Sequence, residues 1–207
     1  MKIDLATITP TKIVCVGRNY AEHAKELGNE APTEPILFLK PPSALLAPGG
    51  TIVRPAASNR VDHEGELAIV IGKTAKNVKR ADWRDYVRGF TCANDVTARD
   101  LQKKDVQFTR GKGFDTFCPV GPHIETDLDV SSLRVTTRVN GQTRQDGNTN
   151  QMIFDCGFLI EFISAIMTLV PGDLILTGTP AGVGPLESGD TVEVEIEGIG
   201  VLRNDVA

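Results

Sequence analysis

The sequence predicts an α+β fold dominated by β-sheet. Three observations carry this. Short apolar and β-branched runs recur between turns rich in Gly and Pro; only about three segments have helical patterning; and strands and helices neither alternate regularly nor repeat. A chain of 207 residues is long enough to bury a substantial core as one domain spanning 1–207, with residues 1–10 as a short N-terminal leader. No Pro- or Ser-rich linker divides it.

Taken in order, Lys12-Ile13-Val14-Cys15-Val16 reads as a buried strand ending at Gly17, with Arg18-Asn19-Tyr20 as a polar junction. Ala21 to Leu27 has good helix formers and stops at Gly28. Gly28 to Pro35 is loop-like, and this loop with the helix before it has the makings of a lid over residues 18–35. Ile36 to Lys40 and Thr51 to Val53 are strand candidates on either side of Pro- and Gly-rich turns. Asp62 to Gly72 reads as one strand, acidic at its start and apolar beyond. Ala81 to Val87 predicts one or two helical turns closing near Gly89. Phe90 to Asp95 is a strand with Asp95 at its tip, and Ala98 begins a short helix. Lys103 to Phe117 lacks periodicity and is expected to be a loop carrying Lys112 and Asp115. Val135–Val139, Asn140-Gly141 and Gln142–Gln145 form a hairpin signal, because Asn-Gly suits a type I′ turn. Cys156 to Met167 is apolar around most of a helix and should be buried. Leu174 to Leu176 is a short buried strand leading into the rigid turn Thr177-Gly178-Thr179-Pro180. Thr191 to Ile196 alternates as a half-exposed strand.

Composition narrows the function classes. Hydrophobic residues make up 41%, charged residues 24%, and the formal net charge is −5. An acidic balance argues against a nucleic-acid surface, and no apolar run approaches the ~18 residues that cross a bilayer. The start of the chain lacks signal-peptide patterning, so a cytoplasmic protein with no membrane partner is expected. Cys15, Cys92, Cys118 and Cys156 are isolated from one another and read as reduced, structural thiols.

Glu64 and Glu66 are the residues of greatest chemical interest. On a strand they share one face, and two like charges held that close repel unless something positive lies between them. A hard divalent cation fits that need. A hydrated strand end fits the same residues, and the pair alone leaves both readings open. His23 and Glu26 lie three residues apart on one helix face, either as an exposed pair or as an imidazole held in one tautomer for proton transfer. His63 turns to the opposite face from the glutamates and reads as a packing or hydrogen-bonding residue.

Several long motifs occur in a fixed order: Val16-Gly17-Arg18-Asn19-Tyr20 with His23, Phe38-Leu39-Lys40-Pro41, His63-Glu64-Gly65-Glu66-Leu67, Asp95-Val96-Thr97-Ala98-Arg99-Asp100, Lys112-Gly113-Phe114-Asp115 and Thr177-Gly178-Thr179-Pro180. In these the chain resembles the fumarylacetoacetate hydrolase family, specifically its small branch of acylpyruvate hydrolases, oxaloacetate decarboxylases and homoprotocatechuate-pathway isomerases. The resemblance implies a mixed β-sandwich or roll with a few short helices. It implies Mg²⁺ or Mn²⁺ on Glu64, Glu66 and Asp95, a His23–Glu26 dyad on a closing helix, Lys112 as a catalytic cation, and Arg18, Arg99, Gln102 and Thr179 on the substrate side. Between Gln102 and Lys112 the sequence departs from the family's common Gly-Leu-Pro-Trp pattern. The activity implied is cleavage of a C–C bond in a small 2-oxo acid through a metal-stabilised enolate, as an acylpyruvate hydrolase or oxaloacetate decarboxylase. The alternatives are a 2-hydroxyhepta-2,4-diene-1,7-dioate isomerase or decarboxylase of aromatic catabolism and, from another class, a non-catalytic 2-oxo-acid binding protein. The resemblance further implies a homodimer.

Overall fold

The computed structural model describes residues 1–4 and 8–207 and is dominated by sheet. The largest sheet runs, edge to edge, through Lys2–Ile3, Cys118–Glu125, Val87–Asn94, Gly65–Ile71, Leu174–Leu176, Ile13–Gly17 and Ile36–Lys40, with Leu45–Leu46 also paired to Cys118–Glu125. A second sheet orders Gln142–Asn148, Arg134–Val139, Thr191–Ile196, Gly200–Val206 and Thr51–Ile52. A three-stranded ribbon joins Gly184–Pro185, Val61–His63 and Thr97–Ala98.

Both faces of the large sheet are buried, which explains why its inner strands are apolar throughout rather than alternating. Leu67, Ile69 and Ile71 face one core cluster, shared with Leu159, Ile160 and Ile163 of the helix Cys156–Ile166 and with Val135 and Val194 of the second sheet. Ala68 and Val70 face a second cluster with Ile13, Cys15, Leu174 and Leu176. All four cysteines are buried free thiols, as their isolation in the sequence implies.

The strand expected over 62–72 is divided. Val61–His63 belongs to the ribbon and Gly65–Ile71 to the large sheet, with Glu64 as the residue between. The crossing is tight: a Cβ on Gly65 would lie 2.1 Å from Thr137 Oγ1. The site residues therefore sit where two sheets meet.

Two other expectations need correction, and two strands carry no sequence expectation at all. The helical turns near residue 81 are a 3₁₀ segment, Arg80–Tyr86, and Gly89 lies inside the next strand, which already begins at Val87. The loop expected over 103–117 contains the end of the helix Arg99–Lys104 and a single turn, Thr109–Lys112. Cys118–Glu125 is a strand whose Pro119, Gly121 and Pro122 disguise its pattern; on its outer side it meets only two-residue strands, where absent amide donors cost little. Gly200–Val206 is a further strand that its polar residues conceal. The Asn140-Gly141 turn has positive φ at both residues, 52° and 76°, as type I′ requires, and its second arm extends to Asn148. Within the expected leader, Lys2–Ile3 pairs with Ile124–Glu125, and residues 5–7 lie outside the described part.

The parallel strands Ile13–Gly17 and Leu174–Leu176 are joined at their start by Asp173, which is fully buried. Its Oδ1 accepts from Thr11 N at 2.9 Å, Thr11 Oγ1 at 2.8 Å and Lys12 N at 3.1 Å; its Oδ2 accepts from Val170 N at 2.9 Å and Lys12 Nζ at 2.5 Å. Burial opposes ionisation here, but Lys12 and these donors outweigh it and hold the carboxyl below its ordinary 3.8. A depressed folded-state value means the carboxylate stabilises the fold above about pH 4, and that contribution is lost as pH falls through the folded value. Asp173→Asn should cost about 1–3 kcal/mol at pH 7 by strand-anchoring bonds lost. Urea unfolding at pH 7 and pH 3 checks this, with the difference between wild type and variant shrinking at the lower pH.

Candidate active site

Strand register builds an acidic cluster from three parts of the chain. Gly65 pairs with Asn94 and Glu66 with Ala93, which puts Asp95 opposite Glu64; Asp95 N donates to Glu64 O at 2.8 Å and Asn94 Oδ1 accepts from Glu64 N at 2.9 Å. On the other side Leu176 pairs with Ala68, bringing Gly178 opposite Glu66, where its N–H donates to Glu66 Oε2 at 2.6 Å. Gly178 has φ +101°, and a Cβ there would lie 2.7 Å from Asn19 Cβ, so this approach needs glycine. One oxygen each from Glu64, Glu66 and Asp95 lies within 4.8 Å of the others, and all three residues are buried.

Buried cations surround the cluster. Lys112 Nζ bridges Glu64 Oε2 and Asp95 Oδ2 at 2.6 Å each. Lys40 Nζ donates to the other oxygen of Asp95 at 2.5 Å and to Val96 O at 3.0 Å. Arg99 spends all three nitrogens: Nη2 on Glu64 Oε1, Nη1 on Gln102 Oε1 at 2.6 Å and Nε on Asp62 Oδ2 at 2.9 Å. These contacts split the two glutamates. At Glu64, burial opposes ionisation but Lys112 and Arg99 outweigh it, holding the carboxyl well below the usual range. Glu66 is pushed well above its ordinary value, first by burial and then by the Asp95 and Glu64 charges. Its one hydrogen bond comes from the Gly178 amide; no lysine or arginine bonds to it among the described residues.

A cavity of about 550 Å³ opens over the cluster and is lined by every residue expected at the site: His23, Glu26 and Lys112, the three carboxylates, and Arg18, Arg99, Gln102 and Thr179. The short helix Ala21–Glu26 forms one wall. His23 is buried with Nδ1 3.3 Å from Glu26 Oε2, and the Glu26 carboxylate also accepts from Gly182 N, at 3.1 and 3.2 Å to its two oxygens. Asn19 fixes the approach to this helix by donating to Phe154 O and Thr177 O at 2.9 and 2.7 Å. Next to it Arg18 holds φ 58°, an uncommon conformation for a residue with a side chain. Thr179 Oγ1 donates to Gly65 O at 2.9 Å and accepts from Gln145 Nε2 at 2.7 Å, so its hydroxyl bonds to the framework. His63 faces away from the carboxylates, with Nδ1 3.3 Å from Gln145 Oε1.

Four residues of this arrangement escape sequence reasoning. Lys40 leaves a trace, as a lone charge closing an apolar strand. Arg60 and Asp62 leave another, since they extend the alternation of Glu64 and Glu66 backwards. Gln145, buried under the turn at Gly65, looks like any other residue of a polar hairpin arm.

The donor set suits a hard divalent cation: three carboxylates close together in a polar cavity, one of them short of positive charge, and no thiolate or imidazole in the cluster. Fold and site together define an enzyme that gathers acidic side chains at a sheet junction beneath a short helix bearing a His–Glu pair. The fumarylacetoacetate (FAA) hydrolase C-terminal model matches residues 12–207, and the chain belongs to that family. Mitochondrial oxaloacetate decarboxylase of Dictyostelium discoideum is 51% identical over 198 residues, covering 92% of this chain and 91% of that protein. The solved 2-hydroxyhepta-2,4-diene-1,7-dioate isomerase from Mycobacterium marinum is 54% identical with a TM-score of 0.90, covering 97% of this chain and 75% of that one. Fumarylpyruvate hydrolase from Pseudomonas aeruginosa, solved in complex with Mn²⁺ and pyruvate, is 30% identical with a TM-score of 0.93, covering 100% and 95%.

Gln145 Oε1 is the acceptor for Gly65 N at 2.9 Å, beside the metal-type cluster. Gln145→Leu should leave that buried amide unpaired and cost about 1–3 kcal/mol. Thermal unfolding measures the cost; an unchanged midpoint would show that Gln145 does not support the Gly65 crossing.

Proposed function

We propose that this chain catalyses divalent-metal-dependent cleavage of a C–C bond in small 2-oxo acids, acting on oxaloacetate or an acylpyruvate. The observation that carries the reading is the buried Glu64–Glu66–Asp95 cluster under a cavity walled by a His–Glu helix. Glu64, Glu66 and Asp95 would hold Mg²⁺ or Mn²⁺. When bound, such a cation acts as a Lewis acid on the 2-oxo group and stabilises negative charge developing on the substrate oxygen.

The remaining steps belong to the chain's own side chains. Glu26 is held by the Gly182 amide and faces His23 Nδ1, so it orients the imidazole and leaves Nε2 to exchange a proton. In hydrolysis, His23 takes a proton from a water that attacks the distal carbonyl; the C–C bond between that carbonyl and the 2-oxo fragment then breaks, its electron pair leaves on that fragment as an enolate, and His23 returns the proton to the enolate carbon. In decarboxylation no attacking water is needed. Lys112 keeps a positive charge in the cavity where negative charge develops. Its ammonium is well suited to that role: burial disfavours the charge, but Asp95 and Glu64 outweigh it and raise its pKa above the ordinary lysine value. Arg18, Arg99, Gln102 and Thr179 make up the substrate side in this reading, supported by their place in the cavity lining. A homodimer with a site in each subunit completes it.

Isomerisation of 2-hydroxyhepta-2,4-diene-1,7-dioate is the second reading, favoured by the 54% identity to the solved M. marinum isomerase. There His23 would move a proton along the conjugated chain. A panel of oxaloacetate, acetylpyruvate and the dienedioate, assayed with Mg²⁺ and Mn²⁺, separates the two. Turnover of oxaloacetate or acetylpyruvate is expected, and Glu66→Ala should abolish it. His23→Ala should lower acetylpyruvate hydrolysis about 10²-fold or more while sparing decarboxylation. Tight metal binding with no turnover of any of the three would instead favour a 2-oxo-acid binding protein.

A further inference from the structure

Arg60, Asp62 and Glu64 follow one another at two-residue spacing where the chain passes from the ribbon to the large sheet, and Arg60 and Glu64 both line the cavity. Asp62, between them, is fully buried, and a single carboxylate there holds two guanidinium groups. Arg60 Nε donates to Oδ1 at 2.9 Å and its Nη2 to Oδ2 at 3.2 Å, while Arg99 Nε donates to Oδ2 at 2.9 Å.

The cations lining the cavity thus differ in what they can still do. Lys112 and Arg99 are committed to the inner carboxylates. Arg18 and Lys103 line the cavity with no ion pair among the described residues, so a ligand would have to order them. Arg60 is exposed at the rim, yet two bonds to Asp62 fix its guanidinium plane, and its Nη1 has no protein partner among the described residues. A planar, pre-oriented guanidinium with a free edge is suited to a carboxylate and loses little freedom in binding one.

We infer that Arg60 recognises a second carboxylate at the far end of the substrate, so that the enzyme prefers dicarboxylic over monocarboxylic 2-oxo acids. Asp62 is the positioning residue that aims it. The inner end of the substrate lies at the acidic cluster, so this inference rests on the 2-oxo-acid reading above. A ligand that ends at the 2-oxo head leaves Arg60 in solvent, and one with a distal carboxylate engages it.

Calorimetric titration of the full chain in Mn²⁺ tests this with two unreactive probes, pyruvate and 2-oxoglutarate, which share the head and differ in the distal carboxylate. Wild type should bind 2-oxoglutarate more tightly. Arg60→Gln should weaken 2-oxoglutarate about tenfold and leave pyruvate unchanged, with partial recovery in Arg60→Lys. In turnover, Arg60→Gln should raise the KM for oxaloacetate with little change in kcat. Pyruvate binding without any Arg60-dependent gain for 2-oxoglutarate, or equal loss of both ligands in Arg60→Gln, would overturn this inference alone. Failure of wild type to bind pyruvate would overturn the underlying reading and this inference together.

Discussion

Asp62, Glu64, Glu66 and Asp95 are buried within one short stretch of the sheet junction, and most of the surrounding structure serves to make that tolerable. Charges removed from water are costly unless paired and hydrogen-bonded. Lys40, Arg99 and Lys112, buried alongside, and Arg60 at the rim supply the positive charges bonded to these carboxylates. Their bonds go to Asp62, Glu64 and Asp95, leaving Glu66 with a single amide donor. The carboxylate with no cation bonded to it among the described residues, Glu66, thus faces the cavity. A divalent cation shared by Glu64, Glu66 and Asp95 would supply positive charge to Glu66, which links the electrostatics of the fold to the chemistry proposed for it.

Strand register is what makes the cluster accurate. Three of its components arrive on neighbouring strands whose pairing also packs two apolar cores, so a one-residue slip would move Glu66 and disrupt both cores at once. The Gly65 crossing lets Glu64 belong to neither sheet and face the cavity from the junction. The wall bearing His23 is built differently. It is a six-residue helix whose Glu26 is tied to the Gly182 amide.

Lys40 and Asp62 place a second layer behind the carboxylates. Lys40 takes one oxygen of Asp95 and leaves the other to Lys112 and the cavity. Asp62 links Arg99, at the cluster, to Arg60, at the rim. The cavity thus runs from an acidic inner end to a cationic outer one, the polarity expected of a site for an elongated anion held at its inner end by a cation.

Much of this was written in local pattern. The apolar runs at 13–17, 67–71 and 174–176, the Asn140-Gly141 turn and the buried helix at 156–166 follow from periodicity and turn chemistry, because those signals act over a few residues. Period-two alternation likewise put Glu64 and Glu66 on one face without reference to the rest of the chain. The strand 118–125 was hidden because its prolines break the propensity that marks a strand, and only its neighbours reveal why that is tolerated. Which residues neutralise the carboxylates was not readable either: Lys40 is 55 residues from Asp95, and Gln145 is 80 from the Gly65 amide it accepts. The sequence by itself determined the sheet-rich class and the acidic pair, and its family motifs named Asp95 beside them; the tertiary structure alone decided which cations balance the carboxylates and the order of charge along the cavity. Alternation is a property of one strand, whereas charge compensation depends on distances that exist only after separate strands have paired.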